Sequence, residues 1–263
     1  MGVVNVTPDS FSDGGQFLDP GQALAHARRL IDEGADLIDI GGESSRPGAR
    51  GVPAEEESLR IIPVLRGLRD APVPIAVDTV KPEVMRAALA EGAAMINDIN
   101  ALRAPGALET VAASDAGVCL MHMQGEPRTM QANPTYGDVV VEVGGFLRER
   151  AAVAEAAGIA RERIVVDPGF GFGKTVGHNL ELLRRLAEIA SLGYPVLAGL
   201  SRKSTLGAIT GRPASGRLAA SVAAALLAVE RGARIVRVHD VAATKDALAI
   251  LSAMCAGDSG NAT

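Results

Sequence analysis

Polar and charged residues recur at one kind of place along this chain, at or just beyond the end of a short apolar run. Asn5, Asp39, Asp78, the pair Asn97-Asp98, His122, Asp167, the run Ser201-Arg202-Lys203, and Arg237 with His239 all stand there. Their chemistry is complementary. A carboxylate accepts paired N–H donors, and an amide offers both a donor and an acceptor. Arg presents a planar fork of donors suited to phosphate. A single Asp after a strand is ordinarily a turn residue or a helix cap. A whole set of such residues is more than turns require, and points to one shared site.

The elements that must position them repeat. Amphipathic helix, glycine, short apolar run and polar residue follow one another, as in Glu91-Gly92-Ala93 before Met95–Ile96, or Arg231-Gly232-Ala233 before Ile235–Val238. Glycine after a helix supplies the left-handed C-cap, and a continuously apolar run is a strand buried on both faces, as in parallel sheets. With Gly2–Val6 first, the pattern predicts eight strands. Helices are expected at 20–33, 54–69, 81–91, 106–114, 139–157, 177–192, 212–231 and 242–256. The 263 residues suit one α/β barrel, for which ~250 is typical. No dinucleotide fingerprint follows the first strand, since Asn5–Asp9 stands where it would be. The fold expected is a single (β/α)8 TIM barrel over residues 1–256, with 257–263 a frayed tail.

Composition narrows the partners. Net charge is −5 with no basic run, which argues against nucleic acid. No apolar stretch approaches a membrane span. Hydrophobic residues make up 48% and aromatics 3%, with no Trp, so the core must be aliphatic. Cys119 and Cys255 lack partners at metal-ligand spacing and read as reduced thiols of a cytoplasmic protein. The chain enters an apolar strand at once, and a short preceding segment is expected.

Two stretches, Thr7–Asp19 and Gly41–Pro53, read as long mobile loops after the first and second strands, and Phe11 and Arg46 within them suit a lid. Gly169–Thr175 ends like a phosphate-binding loop, but its leading glycine would fall on Pro168, so that reading fails. Its glycines are expected to let a flat ring approach. His122 lacks a His or Cys neighbour at ligand spacing, which argues against a metal. His26 and His178 fall in helices and read as solvated. Leu218–Val229 reads as a packed outer helix.

Eight ordered motifs, each at a strand exit, carry a resemblance: NVTPDSFSDGG at Asn5–Gly15, GGESSRPGA at Gly41–Ala49, VDT at Val77–Thr79, IND at Ile96–Asp98, MHMQG at Met121–Gly125, DPGFGFGKT at Asp167–Thr175, SRKS at Ser201–Ser204 and RVHD at Arg237–Asp240. The chain resembles the dihydropteroate synthase family of pterin-binding barrels, with Ser45 standing where the family often has Thr. The resemblance implies a pterin pocket of Asp78, Asn97, Met121, Asp167 and Lys203. It implies a pyrophosphate site of Ser45, Arg46, Arg237 and His239, with Asn5 reaching Mg2+ on its oxygens. It places p-aminobenzoate among Thr7, Pro8, Phe11, Arg46, Pro47, Phe172, Lys203 and Ser204, with Phe172 and Pro47 flanking the ring. Lys203, Arg237, His239, Arg46 and Asp167 would be the catalytic set. Condensation of a pterin pyrophosphate with p-aminobenzoate, a dissociative step, sulfonamide inhibition and a homodimer follow as expectations of the resemblance. A methyltransferase on the same barrel would not need Arg46, Arg237 and His239, and a degenerate pterin binder should have lost some of these groups.

Overall fold

A computed structural model describes residues 1–7, 20–44, 48, 49 and 51–257. Among these residues eight strands form one all-parallel sheet in sequential order: β1 Gly2–Asn5, β2 Ile38–Gly41, β3 Ile75–Asp78, β4 Met95–Asp98, β5 Gly117–Met121, β6 Ile164–Asp167, β7 Val196–Ala198 and β8 Ala233–Val236. The chain just past β8 closes the ring against β1. Val3 N–H donates to the Val238 carbonyl at 3.1 Å, and Val238 N–H to that of Met1 at 2.9 Å. The expected barrel is therefore present, without a free sheet edge.

Strand alternation divides the core in two. Side chains such as Ile38, Ile40, Val77, Ile96, Leu120, Ile164 and Val166 point outward into the layer under the helices. Ala76, Met95, Cys119, Val165 and Leu197 point inward and fill the barrel with Met1. Both faces are apolar, which is why the strands read as continuous runs rather than alternating ones. Beyond that inward layer, at the C-terminal ends, the inward positions turn polar.

The helices are α1 Pro20–Asp32, α2 Ala54–Gly67, α3 Pro82–Ala90, α4 Ala107–Ala112, α5 Val139–Ala156, α6 Val176–Arg184, α7 Leu186–Ala190, α8 Ser204–Thr210, α9 Leu218–Glu230 and α10 Val241–Gly257. Asp138 caps α5 by accepting from the N–H groups of Val140 and Val141, satisfying donors that the first turn leaves open. Three boundaries depart from expectation. The helix expected at 177–192 is interrupted at Arg185, whose guanidinium is shared by Asp138, Glu181 and Glu188. The helix expected at 212–231 starts at Leu218, because Gly211, Pro213 and Gly216 hold the preceding segment in turns. The short α8, with Gly207 in its middle, carries too little periodicity to be read from sequence. Of the expected frayed tail, Gly257 closes α10 and the remainder lies outside the described residues, as do 8–19 of the first expected lid loop and 45–47 and 50 of the second.

Candidate active site

Strand register brings the polar inward positions side by side. Asn5, Gly41, Asp78 and Asn97 pair in succession across β1 to β4, and Met121 pairs with Asp167 across β5 and β6. Arg237, just past β8, reaches across the mouth. Its Nε donates to Asp39 Oδ2 at 2.5 Å and its Nη2 to Asp78 Oδ2 at 3.1 Å. Asn97 Nδ2 donates to the same Asp39 oxygen at 3.2 Å. Asp39 has no exposed surface, and its Oδ1 has no hydrogen-bond partner among the described residues. It lies below the rim, inside the barrel, where the sequence placed it at the rim. Burial, then the Asp39 charge, push the Asp78 carboxyl up to about 7, with Arg237 opposing. For Arg237 burial alone would lower the pKa, but the Asp39 and Asp78 carboxylates outweigh it and hold the guanidinium more firmly charged than usual.

On the facing side, Asp167 is buried and its Oδ1 accepts the Gly169 N–H at 2.7 Å, which fixes the rotamer and leaves other lone pairs for a ligand. Burial raises its pKa, with Lys203 and then the Gly169 N–H opposing. Lys203 follows Arg202, a non-glycine residue at φ 58°. That strained backbone is held by the Ser221 hydroxyl on its N–H at 2.9 Å and by Arg217 on its carbonyl at 2.9 Å. Lys203 Nζ donates to the Phe170 carbonyl and sits 4.6 Å from the centre of the Phe172 ring. Burial lowers its pKa to about 8, against the pull of Asp167. If charged Lys203 is the donor to substrate, kcat/KM should fall as pH rises through about 8. Lys203→Arg, always charged, should move that alkaline limb upward even if its plateau is lower; pH–rate profiles of both proteins decide, and an unmoved limb would assign it to another group.

Two glycines of the loop after β6 serve close approach of backbone, while Gly171 lines the cavity at the mouth. Gly169 has φ 68°, and a Cβ there would lie 1.9 Å from the His122 carbonyl oxygen. At Gly173, φ 59°, it would lie 2.4 Å from that of Gln124. Packing of this loop against the exit of β5 dictates both residues.

Arg237, Lys203 and Phe172 line a cavity of about 620 Å³ together with Asn5, Thr7, Ser204 and His239, among others, a size suited to a small-molecule ligand; Asp78, Asn97 and Asp167 are not on its wall. Next to it an apolar wall is formed by Ile99, Met121, Met123 and Met130 with Phe172 packed against them. Met123 and Met130 escaped the sequence reading, because loop methionines show no period. His239 Nδ1 lies 3.1 Å from Ser201 Oγ, the same oxygen that accepts the His239 N–H. Arg202 also lines the mouth, but both arms of its guanidinium bind Asp240. Arg217 joins the lining and was missed because it precedes a helix and follows no strand. Pro8, Phe11, Ser45, Arg46 and Pro47 lie outside the described residues. The base of the loop after β2 is tied down: Glu43 accepts from Lys81 Nζ and from Val52 N–H, and Lys81 also binds the buried Glu57 of α2.

Two neighbours of the site have structural roles. Asp98 faces away from Asn97, and its oxygens accept the N–H groups of Asn100 and Leu102, both at 2.7 Å. His178 is not merely solvated. Its Nδ1 accepts the Thr175 N–H at 3.3 Å while Thr175 Oγ1 accepts the His178 N–H, a reciprocal cap on α6. Among the described residues no cluster of three or more His, Cys, Asp or Glu could hold a metal. The mouth does present the Asn5 amide, and one such oxygen suffices for Mg2+ when a diphosphate and water supply the other ligands.

A closed β/α barrel whose mouth sets acceptors and an apolar wall beside clustered cations has the form of a small-molecule enzyme site. The chain belongs to the pterin binding enzyme family, whose family model matches residues 1–239. It is 52% identical to a dihydropteroate synthase of Haemophilus influenzae over 254 residues, covering 96% of this chain and 92% of that protein. Among solved structures it is similar to Burkholderia cenocepacia dihydropteroate synthase complexed with 7,8-dihydropteroate, at TM-score 0.90 and 55% identity, covering 98% of this chain and 91% of that one. It is likewise similar to the Yersinia pestis dihydropteroate synthase with a sulfonamide drug complex, at TM-score 0.93 and 46% identity, covering 97% and 93%.

Proposed function

We propose that the chain catalyses the dihydropteroate synthase reaction, condensing 6-hydroxymethyl-7,8-dihydropterin pyrophosphate with p-aminobenzoate to 7,8-dihydropteroate and pyrophosphate. One observation carries the reading: a fixed carboxylate, Asp167 at the end of β6, and a half-buried cation, Arg237 just past β8, stand at the C-terminal end of one barrel. High identity over nearly the whole chain to enzymes of that activity supports it, and sulfonamides follow as inhibitors by the likeness to the Yersinia pestis complex.

The pterin edge would lie against Asp167, Asn97 and Asp78, with its ring on Met121 and its carbonyl or ring nitrogen receiving Lys203. The methylene carbon then faces Arg237 and His239. As the carbon–oxygen bond breaks, the electron pair leaves with the diphosphate, whose growing charge Arg237 neutralises and His239 meets with a ring N–H; Asn5 would hold an Mg2+, which would supply further positive charge there. The arylamine nitrogen forms the new bond to carbon and releases one proton. An aromatic amine is neutral near pH 7, so no strong base is required. Ser204, Thr7 and Phe172 line the side open to p-aminobenzoate.

Incubating both substrates with Mg2+ should give equal amounts of 7,8-dihydropteroate and pyrophosphate, and omission of Mg2+ should reduce both. No product from folded protein would overturn the reading. Asp167→Asn should lose pterin affinity by roughly 1–3 kcal/mol; unchanged binding by calorimetry would remove Asp167 as the anchor. The buried free thiol of Cys119 supports a cytoplasmic setting. Exposed Leu218 and Leu227 of α9 and Ile250 and Met254 of α10 support a homodimer through these helices, to be checked by sedimentation.

A further inference from the structure

Every carbonyl from Gly169 to Gly173, in the loop after β6, is taken by a side chain. Lys174 Nζ donates to Gly169 O at 3.0 Å and Phe172 O at 2.9 Å, Lys203 to Phe170 O, Gln131 Nε2 to Gly171 O at 2.5 Å, and Tyr136 Oη to Gly173 O at 2.8 Å. The third direction of the Lys174 ammonium reaches His122 Nδ1 at 3.0 Å. An ammonium has three N–H donors, and three acceptors stand within 3.0 Å of this one. Lys174 is 3% exposed and makes no ion pair among the described residues. Burial lowers its pKa to about 7 against the pull of Asp167, the cost of a cation in such a position, so the loop geometry it enforces needs a use. His122 presents Nδ1 as acceptor, with the ring edge-on to Phe146 at 4.9 Å. Burial and the facing Lys174 hold its pKa down at about 3, so it stays neutral.

The loop so held begins at Asp167, which it fixes through the Gly169 N–H, and contains Phe172, over which Lys203 lies. We propose that Lys174 is a positioning residue for the pterin pocket, an internal clamp that welds the glycine loop after β6 to the exit of β5 and so sets Asp167, Phe172 and Lys203 at one spacing. This rests on the reading of the mouth as a pterin site. Lys174 touches no substrate; it acts through the loop.

The test separates the two halves of the mouth. Pterin and, separately, inorganic pyrophosphate with Mg2+ are titrated calorimetrically into the wild type and Lys174→Met. Pterin affinity should fall at least tenfold while pyrophosphate affinity stays within twofold, and amide exchange at Gly169–Gly173 should accelerate. A second variant, Gln131→Ala with Tyr136→Phe, removes two outer ties without touching the buried ammonium. It should weaken pterin two- to fivefold and leave pyrophosphate unchanged, and it decides the matter if Lys174→Met does not fold. Wild-type pterin affinity in the folded variants, or equal loss of both ligands, would overturn the proposal. Failure of the wild type itself to bind pterin would count against the functional reading instead.

Discussion

Replacing Arg237 by Met is expected to abolish turnover and to destabilise the free protein by about 3–5 kcal/mol, roughly 10 °C in Tm. The cause is local. Asp39 and Asp78 both bind this guanidinium, Asp39 has no exposed surface, and one of its oxygens lacks a partner among the described residues. Without Arg237 two buried carboxylates face each other with no cation between them. The same change removes the cation that faces the departing diphosphate. Thermal unfolding and turnover of the variant check both halves. The stability loss should shrink in the double variant that also carries Asp78→Asn, since one of the orphaned charges is then gone. An undiminished loss in the double variant would mean that packing of the Arg237 stem, and not charge, carries the effect.

Asp78→Asn alone should do the reverse to stability and still damage function. In the folded protein the Asp78 carboxyl is pushed up to about 7, from the 3.8 usual for an aspartate. Between those values the folded protein retains a proton that the unfolded chain has released, so stability falls as pH rises through that window, and the penalty is complete above about 7. Asparagine removes the penalty. The variant should therefore melt higher than wild type at pH 8 by ~2–4 °C or more, with the gap closing towards pH 4. Its pterin affinity should drop by about 1.5–3 kcal/mol, the worth of a charged hydrogen bond. A variant that melts lower at pH 8 would show that the Arg237 pairing outweighs the cost of burying Asp78. Such a group, costly to the free fold and useful only with ligand bound, is the trade expected at a functional site.

Much of this was legible in the sequence because a parallel barrel repeats one local sentence. The glycine after each helix and the apolar run behind it marked the strands, and the polar residue at the run's end marked the mouth, as Asn5, Asp78, Asn97 and Asp167 bear out by their register. What escaped shares a cause. A strand buried on both faces shows no alternation, so sequence could not tell that Asp39, between Ile38 and Ile40, points into the barrel as the tie for Arg237 and Asn97. The difference between Asn97, facing in, and Asp98, spent on a turn, is likewise invisible in a run of three letters. Lys174 read only as the end of a failed phosphate loop, because its partners on the β5 exit and on its own loop are fixed by tertiary approach. The loop methionines Met123 and Met130 join the apolar wall by the same route.

A crystal structure of the protein with a non-hydrolysable pterin pyrophosphate analogue tests the central claim most directly. The account predicts the pterin ring inside the barrel mouth, its donor edge on Asp167 and Asn97, its face on Met121, and the diphosphate within hydrogen-bond reach of Arg237 or His239. A ring bound elsewhere, or one in the mouth that leaves the Asp167 carboxylate without a ligand partner, would contradict it.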